Sequence, residues 1–320
     1  MTKKLTGVFL DAATLGQDIN FEPLTNLPIN WQMHAYSSPD EVLQRCADAQ
    51  VIITNKVQLD AQTLSQLPEL KLICVAATGM NNVDLDAAAK QSIAVKNVKN
   101  YAGNSVAQLV FSLLLELVNN TSRYSALVKK GDWSKSKSFC LLDFPIAELT
   151  GKTIGLVGYG TLAKSVEKIA LAFDMKVIIA EHKDAKSIRA GRVSFIDLLT
   201  NSDVISIHCP LTAQTTDLIA ATEFGLMKPS AVIINTARGG IVNEADLLQA
   251  LKQKTICGAA TDVLNIEPPP KDHILLTEQL ENLIITPHIA WASIEARQRL
   301  LEQVCSNIKQ SLINCQYKWL

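Results

Sequence analysis

A chain of 320 residues is too long for one minimal domain and suits two, at roughly 100–200 residues per domain. With 48% of residues hydrophobic and 19% charged, it has the apolar material for packed cores, which excludes a disordered or fibrous protein. Thirty Lys and Arg against thirty-one Asp and Glu give a formal charge of -1, so no overall field recruits nucleic acid or an anionic membrane. Seven cysteines, from Cys46 to Cys315, are odd in number and include no C-x-x-C pair, which fits a reducing cytoplasm better than a disulfide framework or a zinc site. The apolar run after the basic start meets Asp11, too early for a secretory signal, and the run 109–118 is broken by Glu116, far short of the ~20 residues that span a bilayer. A cytoplasmic protein without a membrane segment is expected.

In chain order, residues 7–10, 51–54, 70–76 and 93–97 read as strands. Between them, 39–48, 60–67 and 84–91 read as helices, each opened by an Asp or Ser-Pro start signal. Such alternation implies a parallel sheet covered by helices on both faces. Residues 104–130 then carry Leu109, Leu113, Leu114 and Leu117 at helical spacing, with Gly131 as a stop, and predict one long helix that could serve as a hinge or dimer arm. After a polar segment at 131–138, a second and more regular series begins, with strands expected at 153–157, 176–180, 203–208, 231–235, 257–261 and 283–286. Six strands separated by helices make a doubly wound unit. The stretch 293–312 is amphipathic and helical, and is placed to pack back onto the first domain.

The series opens on Gly158-Tyr-Gly160-Thr-Leu-Ala163, a G-x-G-x-x-A turn directly after a strand and before a helix. In that context Gly158 permits the tight turn, Gly160 lets backbone approach a pyrophosphate, and Ala163 is small enough for the helix to lie on the strand. The helix start offers N–H groups and a partial positive charge to phosphates. The next strand ends in Glu181, near the spacing of about twenty residues at which an acidic side chain accepts hydrogen bonds from a ribose and repels a 2′-phosphate. NAD is thereby favoured over NADP, although the cations His182 and Lys183 follow at once.

Ligands bind at the carboxyl ends of strands in doubly wound sheets, and three later strand ends carry charged residues. Arg238, in Asn235-Thr-Ala-Arg-Gly-Gly240, is suited to grip a carboxylate and polarise a carbonyl. Glu267 precedes three prolines that stiffen its loop, and His288 follows a strand and a proline. A carboxylate on one imidazole nitrogen fixes the tautomer and leaves the other nitrogen to move a proton. Whether Glu267 and His288 touch is not readable from their spacing.

These motifs, together with His208-Cys-Pro-Leu-Thr212, Met227-Lys-Pro229, Thr286-Pro-His-Ile-Ala-Trp291 and Ala76-Ala-Thr-Gly-Met80, carry a resemblance that covers nearly the whole chain. In combination and order the chain resembles the NAD-dependent D-2-hydroxyacid dehydrogenases, most closely the glycerate dehydrogenase, or hydroxypyruvate reductase, branch. The resemblance implies a Rossmann cofactor domain at 102–289 and a discontinuous flavodoxin-like substrate domain at 1–101 and 290–320. It implies hydride transfer between NADH and a 2-oxo acid, and a homodimer formed through the cofactor domain. It further makes Arg238, Glu267 and His288 catalytic, with Arg238, His288, Thr78 and Gly79 binding substrate. Gly158, Gly160, Thr161, Leu162, Glu181, Cys209, Pro210, Thr236, Ala237 and Asp262 would bind the cofactor, Asp262 near the nicotinamide. No metal is implied. Departures are Ala163 where many relatives have glycine, and Glu181 in place of the commoner aspartate.

Two other readings stay open at this stage. One is an NAD(H)-binding regulator, or corepressor-like protein, without turnover; intact Arg238, Glu267 and His288 weigh against it. The other is an S-adenosylmethionine enzyme, which explains Glu181 but leaves those three residues without a purpose. Trp133 and Trp291 are candidates to border the substrate, Trp133 equally an apolar anchor at an interface, and Asn55, Lys56 and Tyr101 are polar candidates that serve equally as loop residues.

Overall fold

In a computed structural model that describes residues 4–314, the chain divides into two α/β units. One is built from residues up to Tyr101 together with those from Ala292 onward, the other from Ala102 to Trp291. Met1 to Lys3 of the basic start, and Cys315, lie outside the described residues.

The first unit runs β1 (Leu5–Phe9), α1 (Glu22–Thr25), β2 (Ile29–Met33), α2 (Pro39–Cys46), β3 (Val51–Thr54), α3 (Ala61–Ser65), β4 (Leu72–Val75), α4 (Leu85–Lys90) and β5 (Ala94–Lys96). Its strands are all parallel in the order β2-β1-β3-β4-β5, the flavodoxin-like winding. The Val-Ile-Ile-Thr of β3 and Leu-Ile-Cys-Val of β4 are buried at every position, as central strands covered on both faces must be. Strand β2 was not expected: it is an edge strand, Ile-Asn-Trp-Gln-Met, mostly open to solvent, and so lacks the apolar run that marks its neighbours.

The second unit opens with α5 (Gly103–Asn119), α6 (Thr121–Lys130) and the short α7 (Asp132–Lys135). The single helix expected over 104–130 is therefore two. Asn120 breaks it by adopting a left-handed conformation, φ 53°, which asparagine tolerates better than most residues. Its side chain donates to Pro145 O at 2.9 Å, while the Glu116 carboxylate accepts from the Ser122 N–H and from the hydroxyls of Thr121 and Ser122 to secure the new start. There follow β6 (Thr153–Val157), α8 (Thr161–Ala172), β7 (Lys176–Ile179), α9 (Phe195–Asn201), β8 (Val204–Ile207), α10 (Ala221–Leu226), β9 (Val232–Asn235), α11 (Glu244–Lys252), β10 (Gly258–Thr261), α12 (Ile274–Thr277) and β11 (Leu283–Ile285).

These strands are parallel in the order β11-β10-β9-β8-β6-β7. Val193 makes an isolated parallel bridge to Ala180 beyond β7, in the place where a dinucleotide-binding sheet has its third strand. Phe195, Ile205, Ile207, Phe224, Ile233 and Leu247 are among the buried side chains that fill the space between this sheet and its helices. The winding direction reverses between β6 and β8, and the crevice at such a reversal is where ligands bind. The closing helix α13 (Ile294–Asn314) belongs to the first unit, where it packs on β4 and α1. Among the described residues, no helix is long and apolar enough to cross a membrane. The fold is thus α/β, with two doubly wound parallel sheets.

At the reversal in the first unit, between β1 and β3, the buried carboxylate of Asp11 ties the two strand ends together. It accepts from Asn55 N at 2.9 Å and Lys56 N at 2.7 Å. Burial pushes this carboxyl above its ordinary value, although the N–H groups pull against the rise. Removing the acceptor while the donors stay inside costs about 1–3 kcal/mol. Asp11→Ala is expected to lose about that much stability in urea unfolding, and an unchanged midpoint would contradict the role.

Candidate active site

The turn after β6 is shaped by contact with the end of β8. Gly158 has φ +90°, and a Cβ there would lie 2.7 Å from Cys209 N and 2.8 Å from the His208 carbonyl carbon. Only glycine allows both the backbone conformation and the approach. His208 is part-buried, its imidazole driven down to about 4 by burial and hydrogen-bonded through Nε2 to Ser206 Oγ at 2.8 Å. It is a neutral packing element. Burial likewise pushes the Cys209 thiol up to about 11, so it is not a ready nucleophile.

Gly160 caps α8 and supplies no side chain to its first turn, and the position a Cβ would take has nothing within 4 Å. Ala163 is fully buried in α8, which packs against α5 and β7. Beside this turn lies a cavity of about 500 Å³, lined by Gly158, Glu181, Lys183, Arg192, Cys209 and Pro210 among others. That volume is within the range of small-molecule sites. Farther along the strand ends, Thr236 Oγ1 is buried without a hydrogen-bond partner. Open space before a helix start, an adenosine-sized cavity and an unpartnered hydroxyl fit a bound dinucleotide.

Glu181 lies where its position after β7 places it, but its oxygens are not bare. Arg189 grips the carboxylate with Nε at 2.7 Å and Nη2 at 2.6 Å, and the His182 N–H donates at 2.9 Å. The guanidinium holds this carboxyl well below the usual range. Arg189 had no signal in the sequence beyond being one of several cations in a loop.

The strands β9, β10 and β11 end in register, Asn235 opposite Thr261 and Thr261 opposite Ile285. Arg238, Asp262 and His288 each follow one of these aligned ends. The Arg238 turn is stitched by Asn235, whose Nδ2 donates to Arg238 O at 3.0 Å and whose Oδ1 accepts from Ala237 N at 3.0 Å. Arg238 itself is exposed, with Nη1 donating to Ala237 O. Gly239 presses on the next loop so closely that a Cβ would fall 2.0 Å from Leu264 O, which brings the Arg238 turn against the chain leading to Glu267.

Glu267 and His288 do touch. His288 Nδ1 lies 2.5 Å from Glu267 Oε2, and the other oxygen of Glu267 accepts from Leu264 N at 2.9 Å. His288 adopts φ 55°, an uncommon conformation for a side-chain-bearing residue. Asp262 holds it there. This buried carboxylate accepts from Thr286 Oγ1 at 2.6 Å, Ile289 N at 2.9 Å and Ala290 N at 2.7 Å, while Asp262 O accepts from His288 N at 2.8 Å. Burial raises the Asp262 carboxyl above its ordinary value, against the pull of these donors. Trp291 Nε1 donates to His288 O at 3.0 Å, so that indole braces the same loop.

Thr78 and Gly79 belong to the first unit, beyond β4, where Thr78 O accepts from Asn97 Nδ2 at 2.6 Å. Asn55 is tied to Thr14 as well as Asp11, and Tyr101 O accepts from Arg299. Trp133 donates to Phe139 O and is half exposed. Replacing the Asp262 carboxylate by an amide turns one acceptor into a donor facing N–H groups. Asp262→Asn is expected to cost about 1–3 kcal/mol and to speed hydrogen exchange at Ile289 and Ala290 but not in β6; unchanged exchange there would contradict the hold.

Comparison with known proteins accords with this geometry. Residues 111–290 match the NAD binding domain family of D-isomer specific 2-hydroxyacid dehydrogenases. The chain is 45% identical to a glycerate dehydrogenase of Methylorubrum extorquens over 97% of its own length and 96% of that protein's. It is 34% identical to a hydroxypyruvate reductase of Blautia hydrogenotrophica over 85% of each chain. Its fold superposes with a TM-score of 0.78 on D-lactate dehydrogenase of Aquifex aeolicus, solved with NAD and lactic acid, at 29% identity over 96% of each chain. With the paired Glu267 and His288, the Arg238 turn and the glycine-rich crevice all in the matched region, the chain belongs to the D-isomer specific 2-hydroxyacid dehydrogenases, oxidoreductases that use a nicotinamide cofactor.

Proposed function

We propose that this enzyme is a glycerate dehydrogenase that works as a hydroxypyruvate and glyoxylate reductase with NADH, and that Arg238, Glu267 and His288 are its catalytic residues. The observation that carries this reading is the 2.5 Å contact between His288 Nδ1 and Glu267, beside the Arg238 turn. Similarity to glycerate dehydrogenase and hydroxypyruvate reductase supports the choice of a short 2-oxo acid. Thr161 and Leu162 would hold the pyrophosphate, Cys209 and Pro210 would flank the adenosine, and Thr236 and Ala237 would face the nicotinamide half. Asp262 acts there through the loop it holds. Glu181 favours the ribose diol of NADH over a 2′-phosphate.

When bound, the reduced nicotinamide supplies hydride to the ketone carbon of the substrate. The protein supplies the rest. Arg238 grips the substrate and stabilises the negative charge growing on the carbonyl oxygen. Protonated His288 gives its Nε2 proton to that oxygen, completing the 2-hydroxy acid, while Glu267 fixes the ring through Nδ1 and balances the imidazolium. In the reverse direction His288 is the base. Thr78 and Gly79 would bind the substrate carboxylate through their backbone. A homodimer is supported by the apolar side chains left exposed along 128–146, Val128, Trp133, Phe139, Leu142 and Ile146, all in the second unit. The six unpaired cysteines at described positions fit a cytoplasmic location.

The test is the loss of reduced-nicotinamide absorbance when hydroxypyruvate, glyoxylate, pyruvate or phenylpyruvate is added with NADH. Fast oxidation with hydroxypyruvate is expected; NADH binding without oxidation by any 2-oxo acid would overturn the reading in favour of a nucleotide-sensing regulator. His288→Ala should lower turnover by about 10²–10⁴-fold with NADH binding preserved, and a matching loss of binding would contradict its role. In Glu267→Gln the imidazole loses the carboxylate that fixes it through Nδ1, so turnover should fall with NADH binding preserved. Unchanged turnover would count against the pairing.

A further inference from the structure

The acidic residue that should recognise the adenosine ribose is already engaged. Glu181 is almost wholly buried, with its side chain 3% exposed, and a carboxylate has room for about four donors. In this chain Oε1 accepts from His182 N and Arg189 Nη2, and Oε2 from Arg189 Nε, with the Arg189 N–H at 3.3 Å. Little acceptor capacity is left for two ribose hydroxyls, and the charge that would repel a 2′-phosphate is neutralised by a bidentate guanidinium. Arg189 is itself 56% exposed, so one face of the fork remains open to solvent. Two further cations stand by. Arg192 lines the same cavity with its Nε 4.0 Å from Glu181, and Lys183 lines it while paired to Glu223 at 2.7 Å.

We propose that Arg189 sets how strictly this enzyme separates NADH from NADPH, by occupying Glu181 in the free protein and moving to the 2′-phosphate when NADPH binds. Both halves of that action narrow the preference. By competing with the ribose hydroxyls for the carboxylate, Arg189 weakens the NADH contact. By carrying a planar fork that matches phosphate oxygens, it gives NADPH a partner that Glu181 alone would deny. The long side chain need only rotate, with its backbone N–H remaining near Glu181. NADH is still favoured, because its two ribose hydroxyls replace on the buried Glu181 the donors that Arg189 gives up, whereas NADPH draws Arg189 away and brings one hydroxyl fewer in its place. This rests on the adenosine ribose lying at Glu181, as in the proposed function.

The test is direct binding, followed by tryptophan fluorescence or calorimetry, of NADH and NADPH to the purified protein, with 5′-AMP and 2′,5′-ADP as fragments that isolate the adenosine end. In Arg189→Ala, affinity for NADPH and 2′,5′-ADP should fall about tenfold or more while that for NADH and 5′-AMP holds or rises. Arg189→Lys, which keeps the charge and loses the fork, should fall between. Lys186→Ala removes a cation from the same loop outside the Glu181 pair and should leave the ratio in place. The proposal is overturned if Arg189→Ala weakens both cofactors equally, if it leaves the ratio within twofold, or if Lys186→Ala shifts the ratio as much. Since binding is read rather than turnover, an enzyme that binds nucleotide but reduces no 2-oxo acid would sink the substrate assignment and not this one.

Discussion

The buried carboxylate of Asp262 is the contact on which the catalytic geometry depends. A parallel sheet delivers β10 and β11 side by side, but it leaves the chain beyond β11 free to run in any direction. Asp262 removes that freedom by accepting two backbone N–H groups and one hydroxyl from the turn around His288. The turn is thereby held in a conformation that His288 would not choose alone. Only then does the imidazole meet Glu267, which arrives from a different loop and is fixed in turn by Leu264 N. A charge with many donors is an effective clamp, because moving any one partner leaves a buried acceptor or donor unpaired.

The same device appears at the other end of the chain, where Asp11 joins the ends of β1 and β3. Each sheet therefore has a carboxylate at a strand end that collects backbone N–H groups from a neighbouring loop. The crevice between β6 and β8 uses a different solution. There the two strand ends meet without a side chain, because Gly158 leaves no Cβ to separate them from His208 and Cys209. The open space lies two residues on, at Gly160, where a Cβ would have nothing within 4 Å, and that is the arrangement a bound phosphate group needs.

Much of this is legible in the amino-acid sequence, and the reasons differ from residue to residue. Strands β3 and β6 are short β-branched runs buried along most of their length, and the pattern read directly. Strand β2 was missed because an edge strand carries polar residues wherever it meets water. The break at Asn120 was hidden by leucines that keep their helical spacing up to the last turn before it, and only the left-handed backbone at one asparagine separates α5 from α6. Glu181 announced itself by its place after the second strand. Its partner Arg189 did not, since the loop between them follows no period and holds other cations. The touch between Glu267 and His288 was chemically reasonable and geometrically unreadable, because it depends on the loop that Asp262 ties down.

The central claim is that Glu267 fixes one tautomer of His288 and leaves Nε2 to carry the proton. Nitrogen-15 NMR of histidine-labelled protein, at a pH where His288 is neutral, reads that tautomer directly. The account predicts a proton on Nδ1 and a bare Nε2 in the wild-type enzyme, with that preference lost in Glu267→Gln. A proton resting on Nε2 in the wild type, or a tautomer indifferent to the loss of the carboxylate, would contradict it.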